Sequence, residues 1–407
     1  MLHIDTQRLL DSLQTLGQFG ALPGGGVNRL ALTDADQAAR DWTVAQMRAL
    51  DMQVQVDAIG NVIATYAGSE DLPPVMMGSH IDTVRTGGLY DGNLGVMAGL
   101  EVVRTLRQAG VRTRRPLAVA FFTNEEGARF QPDMLGSLVY VGGLPLEQAL
   151  QTRAVDGPLL GEELIRIGYD GAAQVGQPAV DSYFELHIEQ GPVLDQAGIQ
   201  IGVVEGVQGI YWTRLTFSGK SNHAGTTPMH LRRDAGMAAM RTAAFVHDLV
   251  QRMGGGQLAT VGSLELEPNL VNVIAAEASM TVDLRNTDAQ VLAAARAQLH
   301  AYAMQCATAH GVQLQTQVLA DFAPVAFDAE MIASIERHAK QAGLSTLRLP
   351  SGAGHDAQML ARICPAAMIF VPSVDGVSHN VHEYTPPADL GRGAQVLLQA
   401  VLERANR

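Results

Sequence analysis

The sequence predicts an α/β protein: a mixed, largely parallel sheet flanked by helices, with a small ferredoxin-like α+β domain inserted into it. Three observations carry that expectation. The apolar runs at 117–123 and 367–371 have the length and character of strands buried on both faces. Residues 75–123 read as strand, helix, strand, an order that implies a parallel pair with a right-handed crossover. From about residue 210 the order becomes strand, helix, strand, strand, helix, strand, that of a ferredoxin-like sandwich. The expected division is 1–209 and 323–407 for the interrupted larger domain and 210–322 for the insert. A chain of 407 residues exceeds one ordinary core, in keeping with two domains.

In chain order, residues 5–17 have the period of an amphipathic helix. A second helix is expected over 33–50, with Thr33 as N-cap and Asp34 and Asp36 in its first turn. Residues 53–56 and 61–66 read as a hairpin around Ile59-Gly60-Asn61. Strand 75–79, helix 94–109 and strand 117–123 follow, then a mixed stretch to 180 with a short helix near 159–167. Residues 183–189, YFELHIE, alternate as a strand with one apolar face and one polar face. A further strand is expected over 200–205.

Inside the insert, strands are expected at 210–218, 258–266, 279–285 and 312–318, with helices at 234–253 and 289–310. Beyond residue 322 the reading is helix 328–342, strand 367–371 and a final helix 388–405.

Composition narrows the function classes. A hydrophobic content of 47% with 17% charged residues is globular. The formal net charge of −13 and the absence of a basic stripe argue against nucleic acid or an anionic membrane as partner. The two cysteines, Cys306 and Cys364, form no disulfide framework, and the N-terminus carries neither a signal nor a membrane span. A reducing, cytoplasmic setting is expected.

The stretch 78–95, GSHIDTVRTGGLYDGNLG, places His80, Asp82 and Asp91 between a strand exit and a helix start. Asp91 as a helix N-cap and Asp82 as a turn residue are the plainer readings. Asn124-Glu125-Glu126-Gly127 leaves strand 117–123 at the same sheet edge. One of these carboxylates could hold a cation while its neighbour takes a proton from water. His187 lies on the polar face of strand 183–189, flanked by Glu185 and Glu189. His379 and His382 could both bind if helical, but only one could if extended. Asp375-Gly376 suggests a turn, so one is expected to bind.

His80, Asp91, Glu126, His187 and His379 make a nitrogen and oxygen donor set suited to Zn²⁺, Mn²⁺, Co²⁺ or Ni²⁺. Five ligands exceed the usual three of one open catalytic zinc, and two cations sharing a carboxylate account for the number. Asp82 is then expected to accept a hydrogen bond from His80 and set its tautomer.

The motifs GSHIDTV…DG, NEEG, ELHIEQGP, SNHAGTTPM, NLVNVI, VDLR, SGAGHDA and SHNVHEYT occur in register, together with RLALTDADQAARDW near the start. In this the chain resembles the amidase, hydantoinase/carbamoylase family of the dinuclear aminoacylase and carboxypeptidase superfamily. The resemblance implies a zinc-exopeptidase-like catalytic domain and a homodimer formed through the inserted domain. It implies the five ligands named above with Asp91 bridging two divalent cations, Zn²⁺ foremost, and Glu125 as general base. It carries substrate contacts to Gln190, His223, Asn272, Arg285, Gly354 and His355, with His223 reaching across the dimer. On their own residues, Arg285 could clamp a carboxylate bidentately, and His223 or Asn272 could stabilise an oxyanion.

The expected function is metal-dependent hydrolysis of a linear ureido or amide bond, foremost of an N-carbamoyl-L-amino acid, releasing ammonia and CO₂. Allantoate, a β-ureido acid or an N-acyl amino acid are the alternatives within that chemistry. A non-catalytic metal-binding relative is the reading from another class, and the retained Glu125-Glu126 pair and Asp91 speak against it.

Overall fold

Three of the strands buried at every position mark the centre of the protein, seen here in a computed structural model that describes residues 2–407. They are β3 (Val75–His80), β4 (Leu117–Phe122) and β13 (Ala366–Val371). Strands apolar on both faces need cover on both, which an interior place in a helix-flanked sheet supplies. The remaining strands of this sheet are β1 (Gln53–Val56), β2 (Val62–Tyr66), β5 (Ser182–Ile188), β6 (Ile201–Val207), β11 (Val325–Ala326) and β12 (Thr346–Ser351). The order is β1-β2-β4-β3-β5-β13-β6-β11, with β12 pairing β6. The four central strands β4-β3-β5-β13 are parallel, while the β1-β2, β2-β4 and β13-β6 pairs are antiparallel. This is the mixed, largely parallel sheet the sequence predicts.

The first unit of the chain runs to Gly206 and resumes at Phe327. Its crossover helix, Asn93–Gln108, is buried on nearly every side. It packs on β3 and against the helices Thr6–Leu16 and Pro387–Ala405. Gly78 lets the sheet close here, since a Cβ at that position would meet the Ala120 carbonyl oxygen at 2.1 Å. Thr33 caps the helix Asp34–Ala49 as expected, its side chain accepting from the Asp36 N–H. Asp36 itself is fully buried and bonds to Arg40, so it does more than complement the helix dipole.

The alternation predicted at 183–189 leaves no face of the strand in solvent. All seven residues of β5 are buried, because β3 and β13 pair on either side and helices cover the faces. The polar side of the alternation, Glu185 and His187, therefore points into a buried site. Short elements that the sequence pattern does not signal are Leu135–Tyr140, Leu146–Leu150, Val193–Ala197, Thr346–Ser351 and Asp356–Leu360. Segments of five or six residues carry too few periods to read.

The second unit spans Val207–Ala326. Its strands are β7 (Gly209–Ser218), β8 (Leu258–Glu267), β9 (Glu277–Asn286) and β10 (Gln313–Phe322), joined through the helices Ala235–Met253 and Ala289–Ala309. The antiparallel order β10-β7-β9-β8 is that of a ferredoxin-like sheet. Tyr211, Leu215, Phe217, Met280, Val282 and Leu284 pack on both helices from one face, and Trp212 and Arg214 stand exposed on the other. Among the described residues no helix is long and apolar enough to cross a membrane.

Candidate metal centre

Parallel strands release their side chains at one edge, and the titratable residues of the first unit gather at the carboxyl ends of β3, β4, β5 and β13. His80 is the last residue of β3 and pairs across to Phe122, the last of β4. Thr123 to Glu126 leave β4 through Asn124, whose φ of 56° is left-handed. His187 lies opposite Phe370 of β13. Gln190 after β5 and His379 after β13 also have left-handed φ values, 59° and 53°. Non-glycine residues in this region are held there by their surroundings and cluster at functional sites.

Asp91 organises the cluster. Its Oδ1 lies 3.3 Å from His187 Nε2 and 3.7 Å from His80 Nε2. Its Oδ2 lies 3.3 Å from His379 Nε2, which is also 3.3 Å from Glu126 Oε2. Two three-residue groups contain it, His80–Asp91–His187 and Asp91–Glu126–His379, each with its donor atoms within 4.8 Å of one another; a third, Glu185–His187–His355, does not. Asp91 does not cap the following helix; Gly92 holds the cap position, and no side chain bonds there. Gly92 is required for a second reason, since a Cβ would sit 2.4 Å from the His80 ring.

The rings are set in the tautomer a cation requires. His80 Nδ1 lies 2.9 Å from the Asp82 main-chain oxygen and His187 Nδ1 lies 2.9 Å from that of Ile188. Each Nδ1–H donates to a carbonyl, which leaves both Nε2 atoms facing Asp91, each able to bind a cation once it carries no proton. Asp82 thus accepts from His80 as expected, but through its main-chain oxygen; its carboxylate lies 4.0 Å from the ring. The carboxylate instead accepts the N–H groups of Glu125 and Glu126 at 3.2 and 3.4 Å, and so shapes the loop that carries them. Asp82 acts on the site through that loop and through its own carbonyl.

Electrostatics also mark a cation site. Burial pushes Glu125 well above the usual carboxylate range, reinforced by Asp356 and Glu126. Burial, then Asp91, does the same to Glu126. Burial pushes His80 down to about 4. Burial opposes ionisation of Asp91 too, but hydrogen bonds to His187 and His379 outweigh it and hold Asp91 well below its ordinary value. His187 is pushed up to about 9, where the Asp91 bond overcomes burial. Without cations, protons occupy groups that a metal would take over.

Both His187 and Glu126 must shed protons on binding, so divalent-cation affinity is expected to rise with pH toward about 9, with measurable proton release at neutral pH. Calorimetric titration of Zn²⁺ into metal-free protein in two buffers of different ionisation heat checks this. Identical heats would contradict it.

The cavity at this edge measures about 110 Å³ and is lined by His80, Asp91, Glu126, His187 and His379 with Glu125, Asp133, Gln190, Ala353, Gly354 and His355. Larger clefts of about 490 and 500 Å³ lie elsewhere and contain none of this cluster, so chemistry rather than size locates the site. Gln190 Nε2 donates to Asp91 Oδ2 at 2.9 Å. Buried His355 stands edge-on to His187, with ring centroids 4.6 Å apart, and its Nε2 lies 2.9 Å from Ser351 Oγ. His382 is exposed in a turn and belongs to none of the groups of three.

His223, Asn272 and Arg285 belong to the second unit. The His223 Nδ1 accepts the N–H groups of Gly225 and Thr226 at 3.1 and 3.3 Å, so the ring offers Nε2–H outward. The Asn272 carbonyl accepts the Ala224 N–H, which ties the two loops together. Asp283 holds the Arg285 guanidinium at 2.9 Å, and the Trp212 ring lies 5.9 Å away.

Sequence reasoning passed over Glu383 and the role of Glu185. Glu383 Oε1 accepts the N–H groups of Tyr90 and Asp91 at 3.0 and 3.2 Å, pinning the backbone there. Glu185 accepts from Ser79 Oγ at 2.6 Å and from the Ala357 N–H at 2.8 Å, tying β5 to β3 and to the helix after His355. Glu383 had a signal, the acid one residue after His382; the signal for Glu185 was its alternation with His187.

Residues 76–403 match the model of peptidase family M20/M25/M40. The chain is 40% identical over 404 residues to an N-carbamoyl-L-amino-acid amidohydrolase of Rhizobium meliloti, covering 99% of this chain and 97% of that protein. It is 33% identical over 416 residues to a ureidoglycolate hydrolase of Oryza sativa subsp. japonica, covering 98% and 84%. A solved amidase of the hydantoinase/carbamoylase family from Burkholderia multivorans superposes with a TM-score of 0.96 at 43% identity, covering 100% and 99%.

Proposed function

Because this chain belongs to peptidase family M20/M25/M40, with amidases of the hydantoinase/carbamoylase type among its relatives, we propose that it hydrolyses the ureido bond of N-carbamoyl-L-amino acids. One molecule of water converts the substrate to an amino acid, ammonia and CO₂. The observation that carries the reading is the pair of three-residue groups sharing Asp91, with Glu125 beside them.

The donor set fits two divalent cations: His80, Asp91 and His187 for one, and Asp91, Glu126 and His379 for the other, with Zn²⁺ foremost and Mn²⁺, Co²⁺ or Ni²⁺ as alternatives. When bound, such cations polarise the substrate carbonyl and acidify water. Glu125, whose Oε2 lies 3.4 Å from His80 Nε2, takes the proton from the attacking water and returns it to the leaving nitrogen. Its high proton affinity suits both transfers. Asp82 holds the Glu125 backbone still while this happens.

The Nε2–H of His223 and the amide of Asn272 serve as donors to the developing oxyanion. Arg285, oriented by Asp283, receives the substrate carboxylate, and Gln190, Gly354 and His355 line the pocket around the reacting group. A homodimer formed through the unit Val207–Ala326, with His223 serving the partner's site, belongs to this reading. So does a reducing cytoplasmic setting, which suits the free thiols of Cys306 and Cys364.

The similarity to a ureidoglycolate hydrolase keeps a second ureido substrate in view. Ammonia release from the metal-loaded protein across N-carbamoyl-L-amino acids, ureidoglycolate, allantoate and β-ureidopropionate, with acetate release from N-acetyl-amino acids, decides between them. The highest kcat/KM is expected for an N-carbamoyl-L-amino acid. A higher value for any of the others would overturn that assignment.

A further inference from the structure

Two arginines from the N-terminal segment are completely buried, and the chemistry above uses neither. Arg29 donates through Nε to the Ile81 carbonyl at 2.6 Å and through Nη2 to Asn93 Oδ1 at 2.8 Å. Its Nη1 serves the carbonyls of Leu16 and Phe19 at 2.9 and 2.8 Å. Its main chain is tied in as well: Arg29 N donates to Thr83 Oγ1 at 2.8 Å, and the Thr83 N–H donates to the Arg29 carbonyl at 2.9 Å. Ile81 separates His80 from Asp82, and the Asn93 N–H donates to the Asp91 carbonyl at 2.7 Å. One guanidinium thus holds both ends of the 81–93 loop, which delivers Asp91.

Arg40 does the same for the other arm. Its Nη1 donates to the Gly60 carbonyl at 2.7 Å and its Nη2 to Thr123 Oγ1 at 3.2 Å. It lies 5.4 Å from the Phe121 ring centroid and 5.2 Å from that of Tyr169. Thr123 is the residue from which Asn124, Glu125 and Glu126 depart. Asp36 ties Arg40 back to the N-terminal segment that carries Arg29, its Oδ2 accepting from Arg40 Nε at 2.8 Å and from the Leu32 N–H at 2.7 Å.

Burying a guanidinium is costly, and apolar side chains of similar volume often stabilise a core as well or better. That makes stability alone a weak account of Arg29, whose acceptors are all neutral. What an apolar residue cannot supply is five donors in a fixed fork, able to tie separate backbone segments at set distances.

We propose that Arg29, Asp36 and Arg40 form a clamp that positions the two arms of the metal centre, Arg29 setting the loop of His80 and Asp91 and Arg40 setting that of Glu125 and Glu126. The proposal rests on the metal-centre reading above. It concerns positioning residues, since neither arginine lines the cavity.

The test compares Arg29→Met, Arg29→Lys, Arg40→Met and Thr123→Val with Leu397→Ala, a fully buried core position in the C-terminal helix. Thr123→Val removes an Arg40 acceptor without emptying the arginine's place, so it remains informative if Arg40→Met does not fold. Zn²⁺ affinity is read by chelator competition, and backbone amide exchange is read on the metal-free proteins. Arg29→Met is expected to weaken Zn²⁺ binding by roughly tenfold or more, with partial recovery in Arg29→Lys. Exchange should rise at 81–93 in the Arg29 variants and at 123–127 in the Arg40 and Thr123 variants.

The clamp is overturned if affinity and local exchange match Leu397→Ala, or if exchange rises evenly along the chain. If the unaltered chain binds no Zn²⁺, the metal-centre reading fails, while the exchange pattern still decides whether the arginines hold these loops.

Discussion

Replacing Glu125 with glutamine is expected to lower kcat by roughly 10²- to 10⁴-fold, the usual contribution of a positioned general base, with the cation content unchanged. Glutamine preserves the shape of the side chain and leaves the main-chain bond to Asp82 in place. It offers no oxygen able to take a proton, so the loss falls on the chemical step rather than on binding. Glu125 belongs to none of the three-residue groups, which is why the cations should stay. Metal analysis beside steady-state kinetics checks both halves, and activity within a few-fold of the unaltered enzyme would place the base elsewhere.

The same substitution has an opposite effect on the metal-free fold. Burial holds the Glu125 carboxyl well above its unfolded value. A carboxyl so raised binds its proton more tightly when folded, so it costs stability as pH climbs above the unfolded value. Metal-free Glu125→Gln should therefore melt no lower than the parent at neutral pH, with the difference vanishing below the ordinary glutamate range.

Much of the site was visible in the sequence because strand ends are readable. The apolar run before Asn124 and the one before Pro372 announce strands buried on both faces, and a buried parallel strand delivers whatever follows it to one edge. His80, Glu125, Glu126 and His187 stand at or near such ends, and Asp91 and His379 arrive on the loops that follow β3 and β13. What the sequence hid depends on main-chain groups. The spacing of His80 and Asp82 suggests a side-chain pair, but the turn between them presents the carbonyl to the ring and the carboxylate to the glutamate loop.

Glu383 was hidden for a related reason. It bonds to the backbone of Tyr90 and Asp91, nearly 300 positions away, so its place after His382 marks an acid near the site but not what that acid holds. His379 reaches the cluster from a left-handed residue, a backbone state that neither a helical nor an extended reading of SHNVHE supplies. Alternation in YFELHIE placed Glu185 and His187 on one side correctly, but it could not show that β3 and β13 enclose the strand.

Changing Asp91 to asparagine should remove both cations together, a sharper consequence than losing any other ligand. Asp91 is the one residue common to the two groups, with Oδ1 toward His80 and His187 and Oδ2 toward His379. A fall in affinity of at least about 100-fold is expected, since even residues that only support a ligand are worth 10- to 100-fold. His379→Ala, by contrast, leaves the His80–Asp91–His187 group whole and should keep one cation per chain.

Unfolding should not confuse the comparison. An amide at position 91 can turn its NH₂ toward the His187 Nε2 lone pair and its oxygen toward the donors Gln190 Nε2 and Ser378 Oγ, which now serve Oδ2 at 2.9 and 3.2 Å. His187 holds its proton against burial because Asp91 accepts from it. Once that acceptor is gone, burial favours the neutral ring, so the proton leaves and no unpaired charge is stranded. Metal analysis of the two variants, with thermal melting of each metal-free protein, would decide the matter. An Asp91→Asn protein that still carried two cations would mean that the carboxylate at the centre of the cluster bridges nothing.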